Sequence, residues 1–264
     1  MNFSNKGLIQ ATIFSNCLCN SPYFDLNKFQ TDRLNNLVEN SRKLPIFYKK
    51  KFSYLPDRNV RLEEIPVSTK TELMEHFNSW ITNRSLNLSE IKKYLSNISN
   101  IGKPIFDKYL LMESSGSSGT PGIFLHDLKA VEIYHALEAS RRANSSLINQ
   151  FLGHLYFREK LVYIGALNRH YAGIASIVYS KKCYPPLKSI IKEVSIYSSK
   201  SKLAQTLNNF NPTVMATYPS TAISLAEDQM QGILKFHPRE IWLGGETLGL
   251  NQKNYIQTVK IIKL

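Results

Sequence analysis

Long apolar runs are missing from this 264-residue sequence. Its most apolar window, residues 161–179, is broken by Asn168, Arg169 and His170, which excludes it as a membrane span. The first residues make a poor export signal, because Lys6 is the one charge ahead of an apolar stretch that Gln10 and Thr12 interrupt. Cysteine is scarce. Cys17, Cys19 and Cys183 cannot build a disulfide framework, and Cys17-x-Cys19 with no neighbouring His or further Cys is too little for a metal site. Reduced thiols, a cytoplasmic location and no resident metal are the expectation. No block of five or six basic residues marks a nucleic-acid arm, and nothing repeats internally. Two phosphate motifs are absent as well: there is no GxGxxG and no GxxxxGK[ST]. The G-x-S-x-G elbow of acyl hydrolases is missing by one residue, since Gly116 and Gly119 are separated only by two serines.

What remains is substantial. With 43% hydrophobic residues the chain can bury a sizeable core, as one large domain or two small ones. Its 33 Lys and Arg against 20 Asp and Glu give a net charge of +13, which favours anionic partners. The charge is spread in pairs and singles, such as Arg42-Lys43, Lys92-Lys93 and Lys181-Lys182, as on a solvated basic surface.

The most informative stretch is Glu113 to Asp127, ESSGSSGTPGIFLHD. Ser114, Ser115, Gly116, Ser117, Ser118, Gly119 and Thr120 form an unbroken run ending at Pro121-Gly122. Small residues leave backbone N–H groups unobstructed, and the glycines permit φ > 0. A loop of that kind can wrap the oxygens of a polyphosphate. A flexible linker has the same composition. The flanks separate the two readings: Tyr109 to Met112 enters like a buried strand and Ile123 to Leu125 leaves like another.

Residues 1–60 read as a helical lead-in, with Leu26, Phe29, Leu34, Leu37 and Val38 on one face until Pro45. Thr69-x-x-Glu72 is a capping box that launches a helix turning Leu73, Met74, Phe77, Trp80 and Ile81 inward. A short helix is expected from Ser89, and Asp127 caps another with Leu128, Val131, Tyr134 and Leu137 on one side. Strands at 161–166, 194–197, 212–216 and 240–243 then alternate with helices at 201–210 and 220–230, the last capped by Ser220. Alternation with short connections implies right-handed βαβ units, hence an α/β fold with a parallel sheet flanked by helices. Ligands of such sheets bind beyond the carboxyl ends of the strands. The loop carrying His170, the Tyr218-Pro219 turn and Gly244-Gly245-Glu246 all follow strands at that end, so they are expected on one rim.

Ser114 to Pro121 resembles the [ST]SG[ST][ST]G-x-P phosphate loop of adenylate-forming (acyl-activating) enzymes, with Gly122 where that family often has lysine. PGIFLHD, IPVSTKTEL and the segment from Phe210 to Ala226 look most like the phenylacetate–coenzyme A ligase branch. His170-x-x-Gly173 is similar to the family's FHxxG segment, with Arg169 in place of the aromatic, and Gly244-Gly245-Glu246 to its GGE turn. The resemblance covers about residues 40 to 258, with 61–264 as a partial AMP-binding domain. It implies that Ser114 to Thr120 hold ATP phosphates, and that His170, Gly173, Tyr218, Gly244, Gly245 and Glu246 line the acyl or adenine pocket. It further implies ATP with Mg²⁺, a carboxylic acid and coenzyme A as ligands, and an acyl-adenylate as intermediate.

The family pattern stops after Val259, before the segment that grips adenine and before the mobile C-terminal domain with its lysine. The expectation is therefore an N-terminal portion of such a ligase, inactive alone, with one half of a split ligase, completed by a separately encoded C-terminal half, as an alternative. The alternative from a different class is a non-catalytic basic protein that binds RNA or an acidic partner, although nucleic acid is the less favoured ligand. Which acid is activated, and the oligomeric state, are not written in the sequence.

Overall fold

The computed structural model describes residues 24–43, 46–116, 119, 121–141 and 159–258. Ser117, Ser118 and Thr120 of the Ser/Gly run, Cys17 and Cys19, and the residues after Thr258 lie outside the described residues.

Helices α1 (Leu26–Lys43) and α2 (Ile46–Lys51) open the described chain. Val38 packs with Phe52, Leu55 and Val60, and Arg42 ties the turn after α2 by donating to the carbonyl oxygens of Phe52, Leu55 and Pro56. The apolar face expected on α1 is narrower than its spacing suggests. Val38 is buried, but Leu26 and Leu37 are 54% and 63% exposed. The cluster it meets is small and touches the second half of the helix, so helical spacing alone overstated what could be covered.

The capping box forms as expected: Thr69 Oγ1 accepts from Glu72 N at 3.2 Å, and the Glu72 carboxylate accepts from Thr69 N. It starts α3 (Lys70–Glu75), which breaks at His76 and resumes as α4 (Phe77–Trp80). Met74, Phe77 and Ile81 are buried across the break. α5 (Leu88–Leu95) begins one residue ahead of Ser89, because the Asn87 side chain accepts from Glu90 N and takes the cap.

Strands β1 (Tyr109–Glu113) and β2 (Ile123–Asp127) pair antiparallel, from Tyr109 opposite Asp127 to Glu113 opposite Ile123, with the Ser/Gly loop at their turn. β1 is buried on both faces. Leu110 and Met112 pack against Leu128, Val131 and Ala175; Leu111 packs against Met74, Phe77 and Ile91. Asp127 Oδ1 accepts from Ala130 N and caps α6 (Leu128–Arg141). Tyr134 departs from the inward stripe expected there: it is 48% exposed, its ring edge-on to His126.

The second half alternates as the sequence implies: β3 (Leu161–Gly165), α7 (Ala172–Cys183), α8 (Leu187–Ile190), β4 (Ile191–Ser195), α9 (Lys200–Phe210), β5 (Val214–Thr217), α10 (Pro219–Met230), β6 (Glu240–Leu243) and α11 (Leu250–Thr258). β4 starts three residues before Val194. Tyr218, not Ser220, occupies the N-cap of α10. Pro219 sits at N1, where its fixed φ and missing N–H suit the first turn. The four strands are parallel in the order β4-β3-β5-β6. The chain therefore steps from β3 to one side and returns past it to β5. That reversal falls at the carboxyl ends of β3 and β5, the usual ligand position in open α/β sheets. Val162, Ile164, Val194 and Met215 form one sheet face with Leu207, Leu225, Leu234 and Phe236 beneath it. Among the described residues no helix is long and apolar enough to cross a membrane.

Leu207 is fully buried in that core. Leu207→Ala is expected to cost about 2–5 kcal/mol, as for other buried leucines. Thr69→Ala, which removes one cap bond, is expected to cost about 1 kcal/mol. Urea unfolding of the two variants checks the ranking, and equal losses would contradict it.

Candidate functional site

The Ser/Gly loop is anchored where it leaves the hairpin. Ser114 N donates to Gly122 O at 2.9 Å, and Ser114 Oγ accepts from Gly122 N at 2.8 Å. Gly119 N donates to Gly116 O at 2.9 Å, so part of the loop's N–H inventory holds the loop itself. Gly116 has φ +71°, a conformation that disfavours any side chain, and a Cβ there would lie 2.9 Å from Pro121 Cγ. The described residues at both ends of the loop are thus held by hydrogen bonds and, at Gly116, by conformation. Ser115 and Gly119 are exposed.

Glu113, the residue before it, joins this loop to the rim of the parallel sheet. Its N–H donates to His170 O at 2.7 Å, its carboxylate accepts from His170 N at 3.3 Å, and a parallel bridge pairs it with Tyr171. Arg169 Nη2 donates to Glu113 Oε1 at 2.7 Å. The Glu113 side chain is buried, so its charge is held by a guanidinium and a backbone donor together.

His170 is 1% exposed, and its Nε2 is buried without a hydrogen-bond partner. Its ring lies 6.2 Å from that of Tyr94. Burial holds its pKa below the ordinary 6.5; a hydrogen bond with the Asn97 backbone and the Glu113 charge work the other way, while Arg169 adds to the lowering. The imidazole is therefore neutral at neutral pH. The sequence placed His170 on a pocket wall; the structure packs it into the seam between the hairpin and the sheet.

The remaining site residues gather around Tyr163. Strand alternation sends Val162 and Ile164 into the core and Tyr163 to the opposite face, under α7. There a Cβ on Gly173 would lie 2.5 Å from the Tyr163 hydroxyl, so only a bare Cα fits. Burial first, then the neighbouring Tyr218, pushes the Tyr163 pKa far above the ordinary value, so it remains a neutral phenol. The Tyr218 ring in turn lies against Gly245, where a Cβ would approach Cδ1 and Cε1 to 2.9 Å. Gly245 has φ +82°, so the turn needs glycine for both conformation and contact.

Glu246 accepts from Ser220 N and from Ser220 Oγ, both at 2.9 Å, which pins the exposed turn after β6 to the start of α10. Gly244 N donates to Thr217 O at 3.2 Å, continuing the β5–β6 ladder into that turn. Two groups result. The Ser/Gly loop and His170 meet through Glu113; Tyr218, Gly244, Gly245 and Glu246 meet at α10. His170-Tyr171 leads into α7, Gly173 touches Tyr163 and Tyr163 neighbours Tyr218, which connects them.

Sequence reasoning overlooked Tyr163 and the joining role of Glu113. Strand period would have put Tyr163 on the face opposite Val162 and Ile164. Nothing local announces that Glu113 pairs with Arg169, fifty-six positions away. Among the described residues no three His, Cys, Asp or Glu side chains gather as a metal site.

The sequence matches no family model and no curated protein. Solved structures do match. The chain is similar to 2-hydroxyisobutyryl-CoA ligase in an open conformation in complex with 2-HIB-AMP and CoA, with TM-score 0.58 and 18% identity over 89% of this chain and 51% of that one. The same ligase in complex with 2-HIB-AMP and CoA in the thioesterification state gives TM-score 0.57 and 17% identity over 92% of this chain and 49% of that one. In the postadenylation state with 2-HIB-AMP the TM-score is 0.58, over 88% and 46%. The parallel sheet with its helices thus has an adenylate-forming ligase fold, and the chain spans about half the length of the structures it matches.

Burial lowers the pKa of His126 and His135 as well as His170. On acidification the unfolded chain takes up these protons first, near the ordinary 6.5, so stability is full above that pH and falls below it. Thermal melts are expected to show a lower midpoint at about pH 5 than at about pH 7.5. The drop should be smaller in His170→Gln, which removes one titration; an unchanged drop would contradict the burial argument.

Proposed function

We propose that this chain is the polyphosphate-holding portion of an acid–thiol ligase. The Ser114–Gly122 loop holds the phosphates of ATP, and the rim formed by Tyr218, Gly245 and the residues packed on Tyr163 receives the carboxylic acid. The observation that carries the reading is the fixed attachment of the loop, through Glu113, to His170 at the carboxyl ends of parallel strands. The matched ligase structures contain an acyl-adenylate and CoA, which supports a nucleotide, an acid and coenzyme A as the ligands here. The phenylacetate-like segments support assignment to that branch, and an acid with a flat side chain suits a floor of tyrosine and glycine.

The chemistry asked of such a site is positioning and charge stabilisation. A carboxylate oxygen attacks the α-phosphorus in line, the bond to pyrophosphate breaks, and the charge building on the departing oxygens is met by donors already in place. The residues of this chain contribute by shape and by donors: Gly116 and Ser114 set the loop, and the buried Glu113–Arg169 pair fixes its base. Magnesium would arrive on the nucleotide. The chain spans about half of each matched ligase, and the residues named here are assigned the phosphate and acid ends of the site.

Titration calorimetry with ATP, and an ATP–pyrophosphate exchange assay over a panel of aryl and acyl acids, test this reading. The 264-residue chain is expected to bind ATP weakly and to give little exchange. Gly116→Val is expected to weaken that binding about tenfold or more, because it forces a β-branched residue into a left-handed turn. Robust exchange by the chain alone would overturn the expected inactivity. Salt-dependent binding to arbitrary nucleic acid, unaffected by ATP, would favour a basic binding protein instead.

A further inference from the structure

We propose that the turn from Ile105 to Lys108 is a docking tip for an anionic lipid surface. The Phe106 ring and Ile98 enter the bilayer interface, and Lys92, Lys93, Lys103 and Lys108 meet the headgroup phosphates. The segment that carries the tip is fixed from below. Gly102 lies against α7, where a Cβ would be 2.6 Å from Val178 Cβ. Ile101 and Ile105 are buried, and the Tyr94 hydroxyl on α5 donates to Lys103 O at 2.9 Å. Ile105 N donates to Tyr109 O at 2.8 Å and Lys108 N to Ile105 O at 3.1 Å, which closes the turn. Both central residues, Phe106 and Asp107, have φ +52°. A tight turn with positive φ at both positions is ordinarily filled by Asn, Asp or Gly.

Phe106 is out of place there. Among the described residues four non-glycine residues have positive φ, and the other three are Asn59, Asp107 and Asn211, types that tolerate it. For a bulky aromatic the conformation is strained, yet the ring is 67% exposed, so this chain's own core gains nothing from it. Single exposed apolar residues are ordinary on a protein surface. One held out against its backbone preference points to a contact outside the chain. Ile98, on the helical turn Ile98–Asn100 that leads into this segment, is 59% exposed while Ile101 and Ile105 turn inward. The surroundings are basic. Lys92 and Lys93 stand in the last turn of α5 beside Tyr94, and Lys103 and Lys108 bracket the tip. All four are exposed, against the acidic Glu90 and Asp107. Lysine stems lie along an apolar surface while the ammonium stays in the headgroup layer, and an anionic leaflet attracts such a cluster. A bilayer suits this shape better than a nucleic acid. A turn tip carrying one ring and one aliphatic chain offers no run of aromatic side chains for stacked bases.

The test is flotation of the full chain with two kinds of vesicle: phosphatidylcholine alone, and phosphatidylcholine with phosphatidylserine at about three to one. The variants are Phe106→Asn, Lys103→Ala and, as an exposed control, Lys50→Ala. The unmutated chain is expected on the mixed vesicles and not on phosphatidylcholine alone, and to come off as salt is raised. Phe106→Asn is expected to weaken the partition about tenfold or more, the range for taking a phenyl ring out of an apolar environment. Lys103→Ala should weaken it about fivefold, the effect of one lysine at an anionic surface, and Lys50→Ala should bind as the unmutated chain does. Asn suits the positive φ, so the urea midpoint of Phe106→Asn should equal or exceed that of the unmutated chain. A lower midpoint would show that the ring serves the fold and would overturn the assignment. Equal binding to the two vesicle types, or an unchanged partition in Phe106→Asn, would overturn it as well. So would single-stranded RNA that displaces the chain from vesicles and loses affinity in Phe106→Asn, an outcome that gives the tip to nucleic acid.

Discussion

A buried carboxylate, Glu113, ties the hairpin to the rim of the parallel sheet, beside the packing of β1 on α7. Glu113 ends the hairpin strand β1, yet its hydrogen bonds go to the loop after β3: a backbone donor and the Arg169 guanidinium on its side chain, and His170 O on its N–H. Removing Arg169 would leave a buried charge half satisfied, which is costly; removing Glu113 would leave the two loops with backbone contacts alone. Ser114, the first residue of the Ser/Gly run, follows this arrangement directly and is bonded across the hairpin to Gly122.

The parallel sheet supplies the other constraint. Its order puts β3 between β4 and β5, so the chain reverses direction across the sheet just where the loops bearing His170 and Tyr218 emerge. Tyr163 lines the face beneath them, against bare glycine on α7 and beside Tyr218. The site is thus built on rigid elements, with glycine wherever an aromatic ring must come close. Its charge is local too. Arg169 is paired with buried Glu113, while Lys51 and Lys181 are paired with Glu72 and Glu193.

Much of this was legible in the sequence. The hairpin around the Ser/Gly run, the capping box at Thr69, the cap at Asp127 and the alternation from Leu161 onward are local signals, and the fold follows them. Errors arose where partners decide. Leu37 and Tyr134 keep helical spacing but meet solvent, because burial depends on what stands opposite and not on period. Ser220 looked like a cap until Pro219 took the first turn and Glu246 engaged the serine. The contacts that join the site, Glu113 with Arg169 and Tyr163 with Tyr218, are long-range and carry no local mark. The carboxyl-end rim could be foreseen from topology; the seam that buries His170 could not.

The most direct measurement is amide hydrogen exchange on the intact chain with and without ATP, followed by peptide mass analysis. The account predicts slowed exchange in the peptides covering residues 113–124 and 166–173, the two loops that Glu113 joins, with the α1–α2 region unchanged. Protection that fell on the basic surface helices instead, with both loops unaltered at saturating nucleotide, would contradict it.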